Sequence, residues 1–265
     1  MNDTNEWGDL PTALGQLLNR RFEHIVVFSG AGMSADSGIP TFRSGSNGLW
    51  GEFDPQQLAT PDAWRRDKET VWGWYEWRRG QVMAATPNPG HVAVARLQRE
   101  FGAQVVTQNV DDLHERAGVE GALHLHGSFF SPRCDRCGAP AVLADPPPEA
   151  RRRLEPPTCD ACGKGSIRPG VVWFGENLDD EVVNAAAALI AECDLLLIVG
   201  TSGVVYPAAG MVRLAPKGAV IVEINPQPGD VAAKVGFRWQ TTAAAGLPAV
   251  AARLSAAVLS PSADA

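Results

Sequence analysis

The run HIVVFS at positions 24–29 leads directly into GAGMSADSGIPTFRSGSNGLW at positions 30–50. The first segment is short, apolar and rich in β-branched residues, which fits a buried strand of a parallel sheet. A strand that feeds a glycine-rich turn leaves little choice of architecture. Gly30, Ala31 and Gly32 carry almost no side chain, so a phosphate can approach the backbone there, with the amide dipoles of a following helix facing it. The geometry suits a pyrophosphate. An ordinary dinucleotide fingerprint places its third glycine three residues after the second and an acidic ribose partner about twenty residues further on. Here the next glycine is Gly38, and Pro40, Phe42 and several glycines follow. The segment from Ile39 to Trp50 therefore reads as a flap that carries one aromatic, Phe42, and one cation, Arg43, over whatever the turn holds.

A chain of 265 residues is long enough for one large α/β domain with a small insertion. With 45% hydrophobic and 20% charged residues it reads as an ordinary soluble globular protein. A net charge of -7 argues against a nucleic-acid surface. The opening residues MNDTNEWGDL are polar and acidic, unlike a signal peptide, and no apolar run reaches membrane-spanning length. The expectation is a cytoplasmic monomer with neither membrane nor nucleic acid as partner.

Helical spacing of apolar residues predicts a helix over 11–20 and more helices over 61–83, where four of the eight tryptophans crowd together into a lobe placed over the flap. An amphipathic helix is expected over 91–101, then strand, polar turn and helix over 103–118. LHLHG at 123–127 reads as a short strand with His124 and His126 on one face. A cysteine module fills 128–168, its connector DPPPEARRRLEPP too rich in proline and charge for a core element. After it come VVWFGENL (171–178) as a strand or extended edge, a helix over 179–191, buried strands in DLLLIVGTS and GAVIVEINPQP, a last helix over 248–258 and a tail over 259–265. The predicted class is a Rossmann-like parallel α/β sheet, built from 11–40, 85–127 and 169–258, with an inserted small domain. That insertion combines the helical lobe and flap at 41–84 with the cysteine module. Open sheets of this kind bind ligands at the carboxyl ends of their strands.

Four of the five cysteines form two Cys-x-x-Cys pairs, Cys134 with Cys137 and Cys159 with Cys162, each followed by glycine. Two such pairs complete a closed tetrahedron around Zn, a structural site; a redox pair is the lesser reading. Cys193, alone at the edge of an apolar run, reads as core. In TQNVDDLH, residues Gln108, Asn109 and Asp111 sit in the exit turn of a strand, where they serve as a helix cap or line a site beside the glycine turn. Histidines on a strand face such as that of LHLHG serve as satisfied core or surface groups, although His126, directly before a strand-end glycine, lies where the loops of a site would meet. Tyr75 and Arg78, three apart on one face of a helix, read from the residues alone as an interfacial aromatic beside a solvated arginine.

Taken together, these strings resemble the sirtuins, NAD-consuming protein-lysine deacylases, from about Ile25 to Leu254. The resemblance implies that Gly30, Ala31, Gly32, Ala35, Phe42, Arg43, Trp50, Gln108, Asn109, Val110, Asp111, Gly200, Thr201, Ser202, Asn225, Pro226, Gln227 and Ala243 hold NAD. It makes His126 the catalytic base and Asn109 its partner in placing water or ribose hydroxyls. Val172, Phe174, Gly175 and Glu176 would line an acylated-lysine peptide. Tyr75 and Arg78, with the small Ala59, resemble the class that prefers acidic acyl groups such as succinyl and malonyl. The implied reaction transfers the acyl group from lysine to the ribose of NAD with loss of nicotinamide, leaving free lysine and O-acyl-ADP-ribose. Rival readings are mono-ADP-ribosyl transfer to a protein and a non-catalytic NAD-binding scaffold.

Overall fold

The computed structural model describes residues 10–40, 54–230 and 235–259. Phe42, Arg43 and Trp50, and with them most of the expected flap, lie outside these residues. The elements in chain order are α1 (Thr12–Leu17), β1 (Ile25–Ser29), α2 (Pro55–Leu58), α3 (Pro61–Arg66), α4 (Lys68–Ala84), α5 (Pro89–Phe101), β2 (Gln104–Thr107), α6 (Leu113–Arg116), β3 (Leu123–His124), β4 (Gly127–Cys134), β5 (Ile167–Val171), α7 (Asp180–Glu192), β6 (Leu195–Val199), α8 (Ala208–Met211), β7 (Val220–Ile224), β8 (Phe237–Trp239) and α9 (Ala243–Leu259). Six strands form a sheet in the order β3-β2-β1-β6-β7-β8, every neighbouring pair parallel. β4 and β5 pair antiparallel in a separate two-stranded sheet.

All five residues of β1, and all five of β6, are buried, as expected of strands covered on both faces. Alternation then divides their side chains. Val27, Val105, Leu195, Leu197 and Val199 pack against α1, α5 and α9, whereas Val26, Phe28, Val106, Leu196 and Ile198 pack against α7 and α8. A third core joins the helical lobe to the cysteine module: Leu58, Trp64, Trp72, Trp74, Tyr75, Phe129, Cys134, Cys159 and Trp173 form one cluster. The insertion is thus a single packed body made from both segments. No helix among the described residues is long and apolar enough to cross a membrane.

Several local expectations change. The turn after β1 leads into two single 3₁₀ turns, Ala31–Met33 and Ala35–Ser37, instead of an α-helix. Its glycines and serines are poor helix formers, and Ser34 spends its hydroxyl on tertiary bonds. LHLHG is not one strand. β3 stops at His124 because its pairing with β2 ends there, and Leu125 and His126 turn the chain into β4. VVWFGENL is likewise no strand beyond Val171: Glu176 N bonds Trp173 O at 2.9 Å and closes a turn. α9 begins five residues before Pro248, on an Ala-rich start where Thr242 Oγ1 accepts Ala245 N. α5 begins at Pro89 because Asn88 and His91 form a reciprocal cap ahead of it. The edge strand β8 is three residues long, too short for an alternation pattern to reveal.

Candidate active site

Register brings three strand exits together, because Ser29 lies opposite both Thr107 and Val199. The turns that follow interlock: Gly32 N bonds Gly200 O at 2.8 Å, Gln108 N bonds Ser29 O at 2.9 Å, and Gln108 Nε2 donates to Thr201 Oγ1 at 2.9 Å. Asn225, leaving β7, donates from Nδ2 to Thr201 O at 2.8 Å. A Cβ at Gly32 would lie 2.7 Å from Gly200 Cα. Its glycine is therefore demanded first by the approach of two main chains, and only then by any phosphate. Ala31, Gly32, Ser202 and Asn225 are half-buried around this end of the sheet, Thr201 is buried, Ala35, Pro226 and Gln227 are exposed, and Ala243 is buried at the start of α9.

Beneath the turns runs a buried polar network. Ser34 Oγ donates to Asp111 Oδ2 at 2.9 Å and accepts from Asn109 Nδ2 at 3.2 Å. His91 Nδ1 accepts Asn88 N, so its Nε2 carries the proton and faces Ser34 Oγ at 3.4 Å. His114 Nε2 meets Ser29 Oγ at 3.0 Å, and the two imidazoles pack edge to face with centroids 5.1 Å apart. Burial drives both rings neutral, His91 down to about 4 and His114 down to about 3. Burial also raises Asp111, against the bonds from Leu113 N and Ser34. No spacing rule marks Ser29, Ser34, His91 or His114; only the tertiary fold gathers them.

These depressed values carry a pH consequence. The unfolded chain protonates both rings near 6.5, the folded chain only well below, so folding stability is lost as pH falls through that window. Between pH 7 and 5 each ring is expected to remove about 2 kcal/mol. His124, whose value is raised, acts in the opposite sense, so wild type should be compared with His114→Gln. The variant's urea-unfolding free energy should fall less over this range; parallel curves would refute the assignment.

Above the network, two histidines grip successive carbonyls. His126 Nδ1 lies 2.9 Å from Gln108 O, and His124 Nδ1 lies 2.8 Å from Asn109 O. A carbonyl only accepts, so each Nδ1 bears a proton. His124 also meets Glu115 Oε1 through Nε2 at 2.8 Å. Burial works against its charge, yet the Glu115 bond and charge, with the Asn109 carbonyl, hold it above its ordinary value. In His126 the balance reverses, burial outweighing the Gln108 carbonyl and lowering its value. A neutral His126 therefore presents an unprotonated Nε2, which has no hydrogen-bond partner among the described residues. The expected shared face is replaced by a shared turn.

His126 O accepts Val172 N at 2.8 Å, and Ala59 O accepts Phe174 N at 2.9 Å, which brings the 172–176 segment and the 58–60 loop beside the histidine. Phe174 and Gly175 are exposed; Ala59 and Tyr75 are buried. Glu176 is committed inside the fold, its carboxylate bonded to Arg168 at 2.6 and 2.9 Å and to Trp173 N at 2.8 Å. Arg78 lies over the Trp74 ring at 5.4 Å, within electrostatic reach of Tyr75 and Asp111. Val110, half-buried, accepts Phe129 N and ties the polar turn to β4.

The four sulfurs of Cys134, Cys137, Cys159 and Cys162 lie within 4.8 Å of one another, and the Cys134–Cys162 and Cys137–Cys159 pairs are 3.8 Å apart. Tetrahedral Zn–S bonds of about 2.3 Å require sulfurs about 3.8 Å apart. The donor set fits. Gly138 and Gly163 take φ of 73° and 62°, the left-handed bend that lets backbone amides turn back toward sulfur, as Arg136 N and Cys137 N do toward Cys134. Asp135 fastens the knuckle to the helical lobe, accepting Trp64 Nε1 at 2.9 Å and Lys68 Nζ at 2.6 Å.

The Sir2 family profile matches residues 30–207. An NAD-dependent protein deacylase 1 of Pseudomonas aeruginosa is 56% identical over 77% of this chain and 83% of its own length. An NAD-dependent protein deacylase of Corynebacterium glutamicum is 49% identical over 90% of this chain and 94% of its own. Among solved structures, a Sir2 homolog–NAD complex superposes with a TM-score of 0.84 at 38% identity, covering 94% of this chain and 95% of that one. A mutant Sir2 homologue bound to 2'-O-acetyl ADP ribose gives 0.85 at 37%, covering 96% and 100%. With a match over most of its length, and with its sheet, polar turns and four-cysteine cluster in place, the chain belongs to the Sir2 family.

Proposed function

We propose that this protein is an NAD-dependent protein-lysine deacylase acting on acylated-lysine proteins, acidic acyl groups (succinyl, malonyl) among its substrates and acetyl as well. The observation that carries the reading is His126: its tautomer is fixed by Gln108 O, and its bare Nε2 sits where the exits of β1 and β2 meet the 172–176 segment. NAD, when bound, supplies the ribose that accepts the acyl group and the nicotinamide that leaves.

In this reading Gly30, Ala31, Gly32 and Ala35 face the diphosphate with Gly200, Thr201 and Ser202, while Asn225, Pro226, Gln227 and Ala243 serve the ribose and adenine end. Gln108, Asn109, Val110 and Asp111 serve the nicotinamide end; the amide of Asn109 and the carboxyl of Asp111 are oriented through Ser34. His126 Nε2 takes the proton of a ribose hydroxyl, and its lowered value keeps it unprotonated at neutral pH. Val172, Phe174 and Gly175 line the lysine stem. Phe42, Arg43 and Trp50 are assigned to cover the cofactor by resemblance alone. Tyr75 and Arg78 hold the carboxylate of an acidic acyl group, the buried Ala59 leaving depth for it. The zinc ion holds the cysteine module and takes no part in the chemistry. The same reading takes the protein to work as a cytoplasmic monomer.

The test is nicotinamide release with NAD and matched acetyl-lysine and succinyl-lysine peptides. Tyr75→Phe with Arg78→Met should cut desuccinylation about ten- to a hundredfold, far more than deacetylation. An equal loss on both peptides would mean that the pair is structural. Labelled ADP-ribose left on an acceptor protein would instead indicate transferase activity.

A further inference from the structure

Trp173 lies between Val172 and Phe174 and is held on every side. The side chain is 2% exposed. Arg168 lies 3.5 Å from its ring centroid, Trp64 packs at 5.6 Å and Tyr75 at 6.2 Å. Glu176 holds the Trp173 amide and the Arg168 guanidinium with the same carboxylate. The indole has little room to turn. Its Nε1 lies 2.9 Å from the hydroxyl of Tyr75.

An indole N–H can only donate, so the phenol oxygen must accept. The phenol's own proton is thereby excluded from this direction. Tyr75 is itself buried, and burial pushes its ionisation upward, so the proton stays in place. Among the described residues that proton has no acceptor. Buried donors are rarely left so, which leaves this proton available to a bound group. Arg78, three residues further along α4, is electrostatically coupled to the same phenol. A phenol donor beside a guanidinium favours an acceptor that carries negative charge, Arg78 being coupled to Asp111 as well.

We infer that Trp173 is a specificity-determining positioning residue: by donating to the Tyr75 oxygen it turns the phenol proton toward the acyl group, so that the pocket selects an acyl chain ending in a carboxylate. The accepted bond also polarises the phenol and makes it a better donor. Removing the indole N–H lets the phenol rotate and lose that preference. The inference rests on the acidic-acyl reading given above.

The experiment compares kcat/KM for succinyl-lysine and acetyl-lysine peptides in the full protein with NAD. Trp173→Phe, which keeps an aromatic ring but removes the donor, should lower the succinyl-to-acetyl ratio about tenfold, chiefly through the KM of the succinyl peptide. In a Tyr75→Phe background the same change should leave the ratio where Tyr75→Phe alone puts it, because the effect runs through one hydroxyl. A ratio unchanged by Trp173→Phe, or a fall that persists without the Tyr75 hydroxyl, would overturn the inference. Should Trp173→Phe fold poorly, β-(3-benzothienyl)alanine at position 173 removes the N–H while keeping the bicyclic shape, and the same outcomes decide. Absence of desuccinylation in the wild type would overturn the acidic-acyl reading itself and this inference with it. That case is told apart because it needs no variant.

Discussion

Replacing His126 by alanine should leave a folded, zinc-loaded protein whose nicotinamide release with an acyl-lysine peptide is reduced about 10²- to 10⁴-fold, the usual contribution of a positioned general base. The fold should survive because the ring makes one hydrogen bond, to Gln108 O, worth about 1 kcal/mol net. The pH profile gives a second readout. His126 must be unprotonated to act, and burial, outweighing the Gln108 carbonyl, sets its value below the ordinary 6.5. Wild-type activity should therefore rise with pH through a limb below that value, and the residual activity of the variant should lack the limb. An alanine variant that turns over like wild type would remove His126 from the chemistry.

Stripping the zinc, or replacing Cys159 by serine, should unfold the inserted body. A structural zinc site contributes on the order of 10 kcal/mol in small zinc domains, as much as the net stability of many whole proteins. The consequence reaches beyond the knuckle because Cys134 and Cys159 share a core with Trp64, Trp72, Trp74, Tyr75 and Trp173. Tryptophan fluorescence and acyl-lysine turnover should be lost together, while the parallel sheet, whose two cores contain none of the four cysteines, keeps its far-UV circular dichroism. One zinc per chain by elemental analysis and a chelator-dependent unfolding midpoint are the measurements. A metal-free protein with the same midpoint would show that the cluster is not holding the fold.

Much of the site could be read from the chain because its parts are local. The two Cys-x-x-Cys pairs declare their chemistry through spacing, and the sulfurs do converge. The β-branched run before Gly30 declares a buried parallel strand, and Ile25–Ser29 is one. Polar residues after strands point to the carboxyl end of a sheet, where Gln108, Thr201 and Asn225 do meet. Short elements escape local patterns where pairing partners decide them: Leu123–His124 stops where β2 stops, and residues 172–176 turn because Glu176 folds back onto Trp173.

The sequence alone determined the class of fold, the four-cysteine cluster and the strand exits, since each rests on periodicity or on a spacing of a few residues, while the base and the carboxylate clamp follow from the family resemblance. Tertiary structure decided the rest. The Ser34–His91–Asp111 network draws on three separated segments, the Gln108 carbonyl fixes the tautomer of His126 from 18 residues away, and the Trp173 indole reaches the Tyr75 hydroxyl across 98 positions. No local pattern encodes such contacts, because a hydrogen bond between distant segments forms only after the hydrophobic cores have fixed where each strand exit lies.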